Sequence, residues 1–498
     1  ICMELMERVL ARGRQAILLI PEIALTYQMV QRFYHRFGDQ VSVLHSRLSQ
    51  GERSDQFERA KNGEIQIMIG PRSALFTPFP RLGLIVLDEE HETSYQSETS
   101  PCYHARETAI ARAGMEDARV VMGSATPSVD AYYRSRLGEY RLFELENRYE
   151  NRQLPRAQIV DLREELRAGN RSILSRRLQE AMEERLAKKE QIILFLNRRG
   201  YAGFYSCRMC GAVMKCPHCD VALSLHNGGR LVCHYCGYET KSPGTCPKCA
   251  SPYIGGFRAG TQQIEEIVKK RFPAARVLRM DLDTTRNKDG HARILSAFAN
   301  QEADILIGTQ MIVKGHDFPR VTLVGVLAAD LSLNVSDYRA GERTFQLLTQ
   351  AVGRAGRGEV CGEAVIQTYQ PDNYSIQAAA AQDYTEFYRQ EIAYRQLMSY
   401  PPASNLFAVH ASCEDGALLD MAMTYLRKYL RKIDPKEKAA VIGPADEAIP
   451  RIADRYRKVI YIKHEDYRQL VRLKDQLERY MEINSGFQKI RIQFEFNH

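Results

Sequence analysis

Leu82-Gly83-Leu84-Ile85-Val86-Leu87-Asp88-Glu89-Glu90-His91 is the stretch that decides the fold. An aliphatic run without polar alternation is the pattern of a strand buried on both faces, as in a parallel sheet covered by helices. It ends abruptly in three carboxylates and a histidine. In open parallel sheets ligands gather beyond the carboxyl ends of the strands, so Asp88 could hold Mg²⁺ on nucleotide phosphates and Glu89 could orient or deprotonate an attacking water. The bland alternative is a solvated acidic turn, and the position directly behind the apolar run favours the functional one.

Similar runs flank it at 15–21, 65–70 and 119–123, with amphipathic stretches between them. That alternation predicts a doubly wound α/β layer. After a charged stretch at 147–189 the pattern resumes at 191–196, 276–280, 303–308, 321–328 and 363–369, which predicts a second such sheet in tandem. Beyond Pro371, candidate strands at 405–412, 440–443, 458–464 and 489–496, with amphipathic helices at 417–432 and 466–481, read as a small α+β domain. The expected organisation is a first lobe at 1–146, a linker and entry at 147–190, a second lobe at 191–206 and 250–370, an insertion at 207–249 and a C-terminal α+β domain at 371–498.

Three further motifs follow strands or close a helix. Gly123-Ser124-Ala125-Thr126-Pro127 offers small residues where backbone can approach a phosphate, or simply makes an ordinary strand-to-helix turn. Gly308-Thr309-Gln310-Met311 and Lys314-Gly315-His316-Asp317 suit a loop touching nucleotide and nucleic-acid backbone. Gln350-Ala351-Val352-Gly353-Arg354-Ala355-Gly356-Arg357 spaces two arginines to share a helical face. A guanidinium aimed at a γ-phosphate is worth roughly 10³ to 10⁵ in rate. Two glycines are costly in a helix that needs only a solvated end, which favours that reading.

Eight of the twelve cysteines form four Cys-x-x-Cys pairs, Cys207/Cys210, Cys216/Cys219, Cys233/Cys236 and Cys246/Cys249. Without a secretory leader such spacing points to thiolate-bound zinc, and eight thiolates fill two closed, structural sites. Alternating residues at 221–226 and 230–233 around Asn227-Gly228-Gly229 predict a hairpin, which would join Cys216/Cys219 to Cys233/Cys236 and leave the outer pairs to close a second site. The rival pairing takes the sites in chain order. Each metal could contribute on the order of 10 kcal/mol of order to so polar a segment. His218, His226 and His234 are surplus as ligands and are expected at the surface.

The net charge of +8 permits a polyanionic partner without demanding one. No apolar run approaches the roughly 20 residues that cross a bilayer, so the expected location is cytoplasmic, away from membranes.

The ordered series Pro21-Glu22-Ile23-Ala24-Leu25-Thr26, Gly70-Pro71-Arg72-Ser73-Ala74, Asp88-Glu89-Glu90-His91, Gly123-Ser124-Ala125-Thr126, Gly308-Thr309-Gln310 and Gln350 to Arg357 resembles superfamily 2 helicases. Asn197-Arg198-Arg199-Gly200-Tyr201, the four cysteine pairs and Gly260-Thr261-Gln262 narrow the likeness to the primosomal protein N′ (PriA) family, over essentially the whole chain. The resemblance implies two RecA-like lobes with a double zinc ribbon in the second. It also implies a 3′-to-5′ DNA helicase that recognises abandoned forks and initiates primosome assembly.

By the same likeness Asp88 and Glu89 serve Mg²⁺ and water, Gly308 and Thr309 contact nucleotide, and Gln350, Arg354 and Arg357 sense the γ-phosphate of ATP. The family pairs its cysteines outer with outer and inner with inner. Ser94 to Arg106 resembles an aromatic-rich DNA loop, with Tyr95, Tyr103, His104 and Arg106 as candidate contacts beside Arg72 and Lys314. Arg451, Arg455, Arg457 and Lys458 around Tyr456 could hold a DNA backbone or an acidic protein tail. Expected partners are forked and single-stranded DNA, single-stranded-DNA-binding protein and primosome or helicase-loader proteins, with the chain monomeric. Two other readings are a zinc-stabilised primosome scaffold without turnover and a double-stranded DNA translocase or nuclease-complex motor.

The family's phosphate-binding loop should precede a helix such as 3–10, and the 498 residues contain no Gly-Lys-Thr or Gly-Lys-Ser. The expectation is an N-terminally truncated fragment that cannot cradle the β- and γ-phosphates. DNA-stimulated phosphate release by residues 1–498 should therefore stay at background; robust release would refute this.

Overall fold

The structure, a computed structural model, describes residues 1–21, 27–45, 48–97, 102–145, 153–196, 203–218, 221–226, 229–234, 236–256, 260–281, 284–285, 290–313, 318–335, 337–356, 360–434 and 438–497. They fall into two compact units, and the first runs from Ile1 to Leu142. Its strands β1 (Gln15–Leu19), β2 (Val41–Val43), β3 (Ile67–Gly70), β4 (Leu82–Asp88) and β5 (Arg119–Gly123) make one sheet of order β2-β3-β1-β4-β5. Every pairing in it is parallel.

The two faces of that sheet use alternate residues of the same strands, the period-2 rule of a pleated sheet. Ile17, Leu19, Met68, Ile85 and Leu87 pack with Ala105, Ala109 and Ala113 of the helix Ala105–Glu116. Ala16, Leu18, Ile67, Ile69, Leu84 and Val86 pack with Met6 and Phe33 on the other side. The continuous apolar runs in the sequence are thus strands covered twice. The three-residue β2 escaped the sequence reading because its run is too short to show a period.

The second unit takes in Phe143–Val313 and Phe318–His498. It begins with β6 (Arg156–Asp161) and β7 (Gln191–Phe195). The chain then departs through β8 (Gly203–Cys207), β9 (Ser224–His226), β10 (Arg230–Val232), β11 (Glu239–Lys241) and β12 (Ile254–Gly256), an antiparallel sheet of order β11-β10-β9-β8-β12. It returns as β13 (Val277–Met280), β14 (Ile305–Gly308), β15 (Val321–Val326) and β16 (Glu363–Thr368). These complete a parallel sheet of order β13-β14-β7-β15-β16-β6. Strand β6 lies inside the charged stretch that reads as linker. At the sheet edge it is only partly covered, so its exposed and half-buried residues give no aliphatic signature.

The same unit ends in β17 (Asn405–Cys413), β18 (Ala440–Ile452), β19 (Arg455–His464) and β20 (Arg491–Phe496), an antiparallel sheet of order β18-β19-β17-β20. Alternate residues Phe407, Val409, Ala411 and Cys413 meet Leu419, Met423, Leu426 and Leu430 of the helix Gly416–Ile433, and Leu470 and Leu477 of the helix Tyr467–Ile483. Strand β18 runs well past residue 443, where the expected strand ends, and takes in Pro444 and Pro450. Register shifts at Ile442/Ala445 and Asp446/Arg451 absorb them. Among the described residues no helix is long and apolar enough to cross a membrane.

A half-buried histidine flanked by two carboxylates sits in this sheet. His410 Nδ1 lies 3.0 Å from Glu447 Oε1 and its Nε2 lies 3.3 Å from Glu495 Oε2, while Arg457 also pairs with Glu447. Burial opposes protonation, but the hydrogen bonds and charges of the two carboxylates win and hold the imidazole up at about 9. A raised folded-state pKa gives stability that is full below the unfolded value of about 6.5 and is lost as pH rises through about 9. The C-terminal domain should lose thermal stability between those pH values in wild type, and the His410→Gln variant should be flat there. A His410→Gln profile that falls as steeply as wild type would contradict this.

Candidate functional site

In the first unit β4 delivers Asp88 to the carboxyl edge of the sheet, half-buried, with its carboxyl held above the usual range by burial. Glu89 follows at φ +50°, a left-handed conformation that costs a non-glycine residue roughly 1 kcal/mol or more. That turn lets Glu90 N donate to Gly123 O at 3.1 Å, so the two loops share a backbone bond. The Glu90 side chain is buried and accepts from Ser128 N at 2.5 Å and Ser128 Oγ at 3.1 Å. His91 Nδ1 stands 2.7 Å from Ser124 Oγ, which also accepts from Thr126 N. The acidic loop and the Gly-Ser-Ala-Thr loop are therefore one hydrogen-bonded assembly. Sequence reading placed both loops beyond strands but missed Glu90 and Ser128 as the link; only adjacency of β4 and β5 could have suggested it.

Two expected DNA contacts turn out to be internal. Tyr95 is buried, its hydroxyl lying 2.9 Å from Leu19 O and 2.6 Å from Asp88 O, so its single proton ties the acidic loop to β1. Arg106 is buried beside Glu90, Glu107 and Asp130 and donates to Ser128 Oγ at 3.1 Å. Its charge is spent on the same assembly rather than presented to phosphate. His104 caps the helix Ala105–Glu116, its ring nitrogen accepting from Arg106 N. Tyr103 stays half-buried beside Phe76, and Arg72 donates to Ser94 O and Gln96 O.

In the second unit Gly308 ends β14, and a Cβ there would stand 2.7 Å from both Ile312 Cγ2 and Met280 O, so glycine alone fits. Thr309 follows at the same carboxyl edge, half-buried. The helix Ala340–Val352 carries Gln350 in its last turn and stops before Arg354. This corrects the expectation of two arginines on one helical face. Gly356 adopts φ +68°, its amide donates to Val321 O, and a Cβ there would stand 2.1 Å from Gly362 N, so only glycine fits this turn. Arg354 is thus held on a tight turn. Arg357, Lys314 and Cys219 lie outside the described residues, as do Asn197-Arg198-Arg199-Gly200-Tyr201 and residues 22–26.

The basic group of the C-terminal domain is already matched by acids. Arg455 pairs with Glu414, Arg457 with Glu447, and Lys458 with Asp420 and Asp446. Sequence proximity showed the cations but not the partners brought in from other elements.

The cysteines gather as two clusters, Cys207, Cys210, Cys246 and Cys249 in one and Cys216, Cys233 and Cys236 in the other. Sulfur separations are 3.7 Å for Cys207–Cys249, 3.6 Å for Cys210–Cys246 and 3.5 Å for Cys216–Cys236. A tetrahedron with Zn–S bonds of about 2.3 Å has edges of about 3.8 Å, whereas a disulfide holds its sulfurs about 2.05 Å apart. The donor set and spacing fit zinc, and the grouping is outer with outer and inner with inner. Pairing of β9 with β10, His226 opposite Arg230, supplies the hairpin that brings Cys216 to Cys233 and Cys236.

One expectation fails here, because His234 is buried, with Nε2 3.1 Å from His226 Nε2 and Nδ1 3.1 Å from Asp446 O. The zinc module packs on the C-terminal domain, and that face is no longer surface. Purified chain should carry about two zincs. Removing Cys207 with Cys249 should leave about one, whereas removing Cys207 with Cys216 should leave none, as metal analysis reads directly. Equal loss in the two double variants would contradict the nested grouping.

Comparison with known proteins agrees along the chain. The DEAD/DEAH box helicase family matches residues 1–134 and the helicase conserved C-terminal domain matches 256–359. The PriA DNA helicase Cys-rich region domain matches 216–241, and the primosomal protein N C-terminal domain matches 396–495. Replication restart protein PriA of Bacillus subtilis is 50% identical over 96% of this chain and 60% of its own length. That of Synechocystis is 45% identical over 93% of this chain and 57% of its own length. The chain thus spans about three fifths of these two relatives. The Rickettsia prowazekii protein is 37% identical over 97% of this chain, which covers 73% of that relative. With helicase sheets, zinc-binding cysteine clusters and C-terminal domain all matched in order, the chain belongs to the replication restart protein PriA family.

Proposed function

We propose that this chain is the motor portion of an ATP-dependent 3′-to-5′ DNA helicase that acts at stalled or abandoned forks and initiates primosome assembly. The observation that carries the reading is the pair of nested cysteine clusters inserted between β7 and β13 of a helicase-type sheet. Asp88 and Glu89 suit Mg²⁺ binding and activation of the hydrolytic water, because both stand at the carboxyl edge where a nucleotide phosphate would lie. ATP and Mg²⁺ are the proposed cofactors. Gly308 and Thr309 would meet nucleotide, with Gln350, Arg354 and Arg357 supplying transition-state charge. On DNA, Arg72, Tyr103, His104 and Lys314 are the proposed contacts, single-stranded and forked DNA the substrate, and single-stranded-DNA-binding and loader proteins the partners.

The test is unwinding by the protein as the cell makes it, on forks that offer either a 3′ or a 5′ single strand for loading. Unwinding should follow 3′-to-5′ movement, and Glu89→Gln should lower DNA-stimulated turnover by about 10²- to 10⁴-fold, the usual contribution of a general base, with DNA affinity retained. DNA binding without turnover in wild type would instead support a primosome scaffold.

A further inference from the structure

We propose that Phe76, backed by Tyr103, is the surface on which an unpaired base of single-stranded DNA stacks, an inference that rests on the DNA-motor reading above. Phe76 closes the turn Arg72–Phe76 that follows β3, so it lies at the carboxyl edge of the first sheet with Asp88. Its neighbours in the turn, Ala74 and Leu75, are fully buried, yet Phe76 is 51% exposed. A Phe ring offers no polar atom to water, so its exposed face is open to an aromatic or apolar partner.

The ring is also fixed in place. It meets Tyr103 edge to face, with centroids 5.3 Å apart and planes at 80°. Tyr103 is hydrogen-bonded by Arg72, whose Nη1 also donates to Ser94 O at 2.9 Å and Gln96 O at 2.6 Å. Those acceptors are neutral carbonyls, and Arg72 makes no ion pair with a carboxylate among the described residues. The site therefore pairs a π face with a guanidinium that no described carboxylate matches, the complement of a base and its phosphate. Every base has a π face, so such a platform grips without reading sequence, as a translocating motor requires.

The chain contains no Trp, so Phe76→Trp would place its single indole at this position. Titrating that full-chain variant with dye-labelled oligothymidylate should quench indole emission in step with the rise in dye anisotropy. Phe76→Leu, which keeps an apolar side chain at an exposed position, should bind about 5- to 150-fold more weakly, the range of one stacked base. Its salt dependence should be unchanged, because phosphate contacts remain. Bound oligonucleotide with unquenched indole, or wild-type affinity in Phe76→Leu, would overturn the proposal. Failure of wild type to bind oligothymidylate at all would overturn the DNA-motor reading itself, which separates the two failures.

Discussion

Closure of the zinc insertion at its root is the constraint on which the second unit depends. Strand β7 lies between β14 and β15 in the interior of the parallel sheet, and the chain leaves it for the whole cysteine-rich segment before returning as β13. An excursion from the middle of a sheet must bring its two ends back together. Strands β8 and β12 do so by pairing Cys207 with Ile254, and the outer cluster ties Cys207 and Cys210 to Cys246 and Cys249 beside that pairing. The strands β9, β10 and β11 have three residues each, too few to hold a hairpin sheet by burial alone. Metal coordination supplies the order that apolar area cannot.

From that root the module packs outward. Cys216, Val221, Leu223, Leu231 and Cys233 form one buried cluster with Tyr338, Tyr400 and Leu406. Beside it Arg395 is fully buried, donating to Glu391 Oε1 at 2.8 Å, Glu342 Oε2 at 2.6 Å and Pro401 O at 3.0 Å. Tyr374 adds a hydroxyl to Glu391 at 2.6 Å. Removing one partner of such a cluster typically costs about 3–5 kcal/mol, because a charge is left buried and unpaired. Glu342 stands on the helix that carries Gln350, and Arg395 on the helix Tyr384–Leu397 that leads into the C-terminal sheet. The C-terminal domain is therefore built into the second unit and braces the helix behind the arginine turn.

The strands are legible wherever burial is two-sided: the runs around β1, β3, β4, β14 and β15 are aliphatic because both faces are buried. At the edge, β6 was hidden by its own charges. Asp88, Gly308 and the cysteine grouping could be placed from spacing because strand ends and hairpins are local. What stayed illegible was partner choice across the fold. Nothing near Arg106 in sequence announces Glu90 and Asp130, and nothing near Tyr95 announces Leu19 O. The same blindness made Arg455, Arg457 and Lys458 look available when three other elements had already matched them. Phe76 carries no motif; its exposed ring beside Tyr103 and Arg72 shows only in the fold.

If zinc closure organises the second unit, hydrogen exchange before and after zinc removal by a chelator is the most direct measurement. The account predicts that protection is lost throughout 203–256 and weakens in β17 and β19, which pack on the zinc module, while β1, β3 and β4 keep theirs. Loss confined to the loops around the cysteines, with β8, β12 and the C-terminal sheet unchanged, would contradict it.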